Sequence, residues 1–502
     1  MFRPAIVLEK VQQLVGGLTR LAPAYDGLSQ DEFGRARSSS FFSSFSAFRV
    51  QSDRKVIYGL IVGCTLGLGL FSLSGSSSSS SSSSSSTGAD DRFSITSALG
   101  GLGSSSRPAG TRALEREIFN LLGEGGDFDP APIENLCNHK RFQPGLYVRC
   151  NENDGGVGNV RNSILLCTRY AVESGAHLVA PRIHLRSTSD LADLGGDRVN
   201  MTYLFDYDVY RARIEGACPG FRLYESADEV PTAAGSLHIP PDRLDPLDFH
   251  GHGGLINTHI LDHRADLRGW LWNQVQVHPS LKTPVLVDLA RTFFGWANTQ
   301  DSYEVWHEWS RILPFQPETY HVAAQILSIM SKLDAEQLAG EKILQNSYRY
   351  VGQHLRTEGD VSPEMKAYGF DTQMDASLAL CREKGITELY IASGDVGEAA
   401  KATMQALDSG ITVHTKYSLM TADAQLASAI LAMTFDQQAL IDYLIMSKAT
   451  SFVGVDSSSF SGNIAVLRHA ALGDQTHWHG FSDELSLLIG DRFEWLREAM
   501  WA

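Results

Sequence analysis

The sequence is short of positive charge. Its 502 residues carry 42 Lys and Arg against 58 Asp and Glu, a formal net charge of −16. Residues 1–55 hold 8 basic and 5 acidic residues, leaving 34 basic and 53 acidic in the remainder, a net of −19. A body of that sign repels phosphate backbones, which argues against a nucleic-acid partner while leaving room for a local basic pocket. Cysteine is also scarce. There are six, with Cys64 inside an apolar run and Cys137, Cys150, Cys167, Cys218 and Cys381 beyond it. Five is odd, so at least one of these stays free or pairs between chains. Cys137 and Cys150 bracket a short loop and form the expected pair; the alternative is a set of unpaired buried thiols. No Cys or acid cluster accompanies His250/His252 or His477/His479, so these pairs fall short of the three or four ligands zinc needs and read as loop histidines. No solenoid repeat is visible.

Long apolar runs are equally rare. Val56 to Leu73, VIYGLIVGCTLGLGLFSL, has no formal charge, and its 18 residues are at the short end for spanning a bilayer. Arg54-Lys55 before it puts the N-terminal side in the cytosol. A buried helix, or a transit peptide in the first 50 residues, are the competing readings. Ser76 to Ser86 is an unbroken serine run that cannot form a packed core. The chain therefore divides into a cytosolic tail (1–55), a single transmembrane anchor (56–73), a Ser/Gly-rich disordered stem (74–110) and two folded parts, 111–340 and 341–502. That order makes a single-pass type II membrane protein facing the lumen. The short span suits the endoplasmic reticulum or Golgi, and Asn200-Met201-Thr202 is a glycosylation sequon usable there.

The folded parts read as α/β. Leu146–Val148, His177–Ala180 and Val285–Val287 are strand candidates in the first, with a helix over Ser163–Ser174. In the second, strands at Tyr348–Leu355, Glu388–Ala392, Ile411–Val413 and Phe452–Val455 alternate with helices over Asp375–Lys384, Val396–Leu407, Ala422–Met433, Gln437–Met446 and Asn463–Ala470. Alternation at this spacing predicts a parallel, doubly wound sheet, whose ligands bind beyond the carboxyl ends of the strands.

Three segments sit at such ends. In His354-Leu355-Arg356-Thr357-Glu358-Gly359-Asp360, an Arg just past a strand can grip a diphosphate with its planar fork; the plainer reading is a surface ion pair. Ser457-Ser458-Ser459-Phe460-Ser461 lies between a strand and a helix, where hydroxyls and backbone N–H groups make an anion site or merely cap the helix. Asp154-Gly155-Gly156-Val157-Gly158-Asn159 is a glycine-rich turn that lets backbone approach a ligand.

Together, GGVGN followed by an apolar helix and LVAP, then HLRTEGD, then FVGVDSSSFSGNIA resemble the three segments of the GDP-fucose protein O-fucosyltransferases, over roughly 145–180 and 345–470. The resemblance implies two Rossmann-like domains facing a cleft (GT-B), with GDP-fucose as donor and no cofactor or metal. Arg356 would hold the β-phosphate and aid departure of GDP. His354 would contact the nucleotide, with Asp360 in support. Ser458, Ser459 and Phe460 would line the phosphate and base pocket, and Gly158 and Asn159 the mouth where donor and acceptor meet. Asp395 would face the guanine. Gly156 stands where some relatives carry Arg. Glu152 or Asp154 is the candidate base toward the acceptor hydroxyl, on a protein or a glycan. A transferase of another nucleotide sugar, or a lumenal binding protein of the same fold without catalysis, are the rival functions.

Overall fold

The computed structural model describes residues 109–122, 128–150, 153–187, 196–230, 242–244, 284–289, 298, 301–331, 349–361, 363–473, 485–490 and 500–501. The tail, the anchor run 56–73, the stem up to residue 108, Glu152 and both histidine pairs lie outside them; the stem's last two residues, Ala109 and Gly110, open the helix Ala109–Leu122. Among the described residues, no helix is long and apolar enough to cross a membrane.

Two five-stranded sheets organise the body, and both are parallel throughout. The first is built from β1 (Leu146–Cys150), β2 (His177–Val179), β5 (Leu223–Tyr224), β6 (Asp242–Leu244) and β7 (Val285–Leu289), in the order β5-β2-β1-β7-β6. A short antiparallel pair, β3 (Arg182–His184) with β4 (Arg198–Asn200), stands beside it. The second sheet takes β8 (Val351–His354), β9 (Glu388–Ala392), β10 (Thr412–His414), β11 (Ser451–Val455) and β12 (Ser486–Ile489) in the order β10-β9-β8-β11-β12. Strand order therefore reverses between β1 and β7 in one sheet and between β8 and β11 in the other. Such reversals open a crevice at the carboxyl edge, the standard ligand position in this architecture.

Burial explains why these segments are strands. β7 and β11 are buried at every position, as expected of a parallel strand covered on both faces. The helices that matter most are α1 (Val157–Ser174) after β1, α2 (Phe370–Lys384), α3 (Val396–Asp408), α4 (Phe435–Ser447) and α5 (Ser459–Ala471) after β11. α1 is buried almost along its whole length because it runs between its own sheet and α5. One apolar cluster extends from Leu114 through Ile164 and Trp309 to Tyr443, Ile464 and Trp501. The two sheets thus share a core.

The last described residues cross back to the first half. The Met500 carbonyl accepts from the Trp306 Nε1–H (2.9 Å) and from Asn298, and the Trp501 carbonyl accepts from Arg161 Nη1 at 3.3 Å.

Cysteine pairing differs from expectation. Cys137 bonds Cys218 and Cys150 bonds Cys167, leaving Cys381 buried and free among the five. The predicted Cys137–Cys150 bridge fails for a topological reason. The loop from Cys137 leads into the start of β1, whereas Cys150 ends that strand and meets α1 folding back over it. Cys137 sits on the buried side of its helix and meets Cys218 at the C-cap of Tyr207–Ala217.

Candidate active site

Both helices that follow the central strands begin earlier than the sequence suggests. α1 starts at Val157, not Ser163, so Gly158 and Asn159 lie in its first turn. α5 starts at Ser459, not Asn463. Neither N-terminus is closed by a side chain: Gly156 has none to offer, and the Ser458 hydroxyl makes no capping bond. Uncapped first-turn N–H groups carry the positive end of the helix dipole and are disposed to bind an anion.

The two helix starts touch. A methyl group on Gly158 would sit 2.8 Å from the carbonyl carbon and oxygen of Ser459 and 2.9 Å from the Phe460 nitrogen. Glycine is what allows this backbone-to-backbone approach. The turn leading to it uses Gly155 at φ +86°, a conformation side chains disfavour. Asn153 fixes the loop, its amide donating to the carbonyls of Cys150 and Arg182, both at 2.9 Å.

β8 delivers the other segment alongside. His354 contacts the Ser461 hydroxyl through Nδ1 at 2.8 Å, and its ring packs on Phe460 at 4.6 Å between centroids. The HLRTEGD and SSSFS segments are therefore neighbours on one edge of the sheet. Burial, helped by Arg356 against the opposing pull of Glu358, pushes the His354 imidazole down to about 4, so it is neutral near pH 7.

Just beyond it, Arg356 is clamped at its backbone. Its N–H donates to Gln373 Oε1, and its carbonyl accepts from Gln373 Nε2, both at 2.9 Å. Gln373 is buried on α2, which makes it a rigid mount. The guanidinium meets Glu358 at 2.6 Å and Asp360 at 2.8 Å, and both acids use Nη1. Nε and Nη2 have no partner among the described residues, leaving one edge of the fork for a further anion. Burial opposes charge on all three groups. The pairing nevertheless wins, raising the Arg356 pKa and holding Glu358 and Asp360 below the ordinary carboxylate range. Glu358 also accepts from the Gly394 N–H, tying β8's loop to that of β9.

A second guanidinium arrives from the first half. Arg186, in the loop after β3, pairs with Asp360 at 3.1 Å, reaches to 4.0 Å from Asp436 and lies over the Phe435 ring. Its Nη1 is 3.6 Å from where a side chain on Gly156 would begin. A guanidinium thus occupies the space adjoining Gly156.

Of the sequence candidates, Gly156, Gly158, Asn159, His354, Arg356, Asp360, Ser458, Ser459 and Phe460 converge on this region. Asp395 instead caps α3, accepting from the Glu398 N–H at 2.9 Å, and forms no ion pair among the described residues. Asp154 is buried after β1, and Asn200 is exposed at the end of β4. Arg186, Gln373, Asp436 and Ser461 were not singled out from the sequence, and Glu358 only as a member of an ion pair with Arg356 and Asp360, a pairing the structure contains. Glu358 and Ser461 lie inside the quoted motifs, so proximity could have found them. The other three carry no local signal. No cluster of three or more His, Cys, Asp or Glu among the described residues is placed to hold a metal.

Residues 258–471 match the family GDP-fucose protein O-fucosyltransferase. That segment is an O-fucosyltransferase-like domain. The match includes the Arg356 and Ser458–Phe460 segments and reaches into the middle stretch, 258–340, where no motif was legible. The GGVGN turn lies outside it. Solved structures similar to this chain include POFUT1 in complex with GDP-fucose (14% identity, covering 70% of this chain and 99% of that one, TM-score 0.41). Others are a mutant of Arabidopsis thaliana FUT1 in complex with GDP (13%, 72% and 78%, TM-score 0.33) and fucosyltransferase NodZ from Bradyrhizobium (14%, 64% and 92%, TM-score 0.33). No curated protein matches the chain.

Proposed function

We propose that this protein is a fucosyltransferase that moves fucose from GDP-fucose to a hydroxyl acceptor, with a Ser or Thr of a protein as the acceptor class. The observation that carries the reading is the convergence of two uncapped helix starts, at Gly158 and Ser459, beside the segment from His354 that carries Arg356. Such a cradle suits a diphosphate: backbone N–H groups supply hydrogen bonds and Arg356 supplies a fixed cation. As the glycosidic bond breaks, negative charge grows on the β-phosphate, and Arg356 is placed to stabilise it with no reorganisation. Glu358 and Asp360 hold that guanidinium, and Gln373 holds the backbone that carries it. The neutral His354 ring and the Phe460 ring tilted against it offer aromatic surface to a nucleotide.

In this reading the first sheet carries the acceptor side and the second the donor side, in a GT-B-like arrangement. The N-terminal run 56–73 would anchor the chain in the Golgi or endoplasmic reticulum membrane with the body lumenal, and the two disulfides and the exposed Asn200 suit an oxidising, glycosylating compartment. Calorimetric titration with GDP, GDP-fucose and UDP tests the donor: the guanosine ligands bind and UDP does not. Arg356→Ala should cut GDP release from GDP-fucose by about 10²- to 10³-fold in the folded protein, with a lowered melting temperature because Glu358 and Asp360 lose their counter-charge. Unchanged turnover in that variant would end the assignment.

A further inference from the structure

One carboxylate beside the cradle has no job in the scheme above. Asp436 lies in the first turn of α4 and is 5% exposed. Its Oδ1 is buried without a hydrogen-bond partner, and its nearest opposite charge, Arg186, is 4.0 Å away. A buried carboxylate oxygen left unmatched is costly, and such groups mark places where a ligand completes the bonding.

Its position is fixed by both halves. Thr434, the cap of α4, shares a hydrogen bond with the Tyr203 hydroxyl at 2.6 Å, and Gln437 Nε2 donates to the Tyr203 carbonyl at 3.0 Å. The start of α4 is therefore pinned to the first half, beside Arg186, which also approaches Gly156. Asp360 and Arg186 stand in series between Arg356 and Asp436. That sets the two ends apart, as in-line displacement requires of the group holding the leaving phosphate and the group receiving the entering proton.

We propose that Asp436 is the general base that deprotonates the attacking hydroxyl, with Arg186 as its positioning residue. This rests on the transferase reading. The acceptor O–H proton passes to the Asp436 carboxylate, and the oxygen forms a bond to the anomeric carbon. The bond from that carbon to the β-phosphate oxygen breaks, its electron pair leaves with GDP, and Asp436 later returns its proton to water. The neighbouring acids are unsuited to the task because Arg356 holds the pKa of Glu358 and Asp360 low, which makes them weak proton acceptors. Asp436 differs: burial, only partly countered by Arg186, pushes its carboxyl up to about 6, where a base near neutral pH is effective. The titratable groups facing it among the described residues are Arg186, from the loop after β3, and Tyr203, from the turn before Tyr207–Ala217.

The test uses GDP-fucose with water as acceptor, following GDP release. In D436N, kcat should fall by about 100-fold while GDP-fucose affinity by calorimetry stays within about twofold. The parent rate should fall as pH drops below about 6, and that limb should vanish in D436N. In R186Q the limb should move to higher pH, because the removed cation no longer holds the carboxyl down. A D436N profile that keeps its acid limb, or a rate loss matched by an equal affinity loss, overturns the base assignment alone. Failure of the parent to bind GDP-fucose overturns the transferase reading and this assignment with it.

Discussion

Replacing Gly158 with Ala tests the geometry on which the donor cradle depends. The new methyl would meet the Ser459 carbonyl group at 2.8 Å and the Phe460 nitrogen at 2.9 Å. Ordinary carbon contacts lie near ~3.5 Å, so the two helix starts must part by roughly half an ångström. The obstruction is backbone, which cannot rotate out of the way. Overpacking of this kind costs about 1–3 kcal/mol, or a few degrees in Tm for a body of this size. Separation also withdraws one helix N-terminus from the shared anion site, where each is worth roughly 0.3–1 kcal/mol and up to ~2 when partly buried. A loss of about 1–2 kcal/mol weakens GDP-fucose binding by roughly 5- to 30-fold. Gly156→Ala supplies the contrast. Its methyl would meet only the tip of Arg186 at 3.6 Å, and its backbone is extended, so Tm should stay near the parent value. Thermal unfolding and calorimetry of both variants decide the matter. Equal behaviour of the two, or parent-like affinity in Gly158→Ala, would refute the proposed meeting of helix starts.

The remaining predictions concern pH and redox. His354 has its native pKa pushed down to about 4 from 6.5, so the unfolded chain binds its proton first. Stability from this group is complete above about pH 6.5 and drains as pH falls toward 4, by on the order of 3 kcal/mol. Urea unfolding at pH 7 and 4.5 should show that slope in the parent and a flatter one in His354→Gln; an identical slope would exclude His354 as its source. Non-reducing peptide mapping should recover Cys137–Cys218 and Cys150–Cys167, with Cys381 alkylated only after denaturation. Converting Cys150 and Cys167 together to Ser should cost about 3 kcal/mol in the same unfolding assay, since their bridge closes a loop with a sequence separation of 17.

Seven of the strands were legible as short apolar runs, whereas β3, β4, β5, β6 and β12 were not. Glu388–Ala392 appears with the predicted bounds, and Phe452–Val455 gains one residue. The helix starts at Val157 and Ser459 were not, and the reason is chemical. Sequence finds a helix start by its capping side chain. Gly156 offers no capping side chain, and the three serines at the start of α5 offer several, so neither start is marked at one residue. Thr434 shows the opposite case: α4 begins with a reciprocal Thr434–Gln437 capping box, and the sequence-based start was two residues late. Gln373, Arg186 and Asp436 escaped for another reason. Each is a solitary polar residue whose role comes from a partner distant in the chain, such as Arg186 with Asp360, 174 positions away. The disulfides failed likewise, since proximity in sequence says little about which ends of β1 and its neighbours meet.

Gly156 shows how far a missing motif residue should count against function. Judged in line, the loop offers no cation at the position where the resemblance would allow an Arg. Judged in space, Arg186 brings a guanidinium to within 3.6 Å of the same point, from a loop about 30 residues onward, and ties it to Asp360 of the other half. An electrostatic site responds to where charge stands, because Coulomb interaction depends on distance and dielectric and not on chain order. The substitution also changes what the charge can do. A side chain rooted at Gly156 would move with α1, whereas Arg186 is rooted beside β3 and braced by Phe435 and Asp360. Its position is therefore coupled to the start of α4, and so to Asp436. A variant that restores Arg at 156 should crowd Arg186 and disturb that coupling, altering the pH dependence of turnover more than the affinity for GDP.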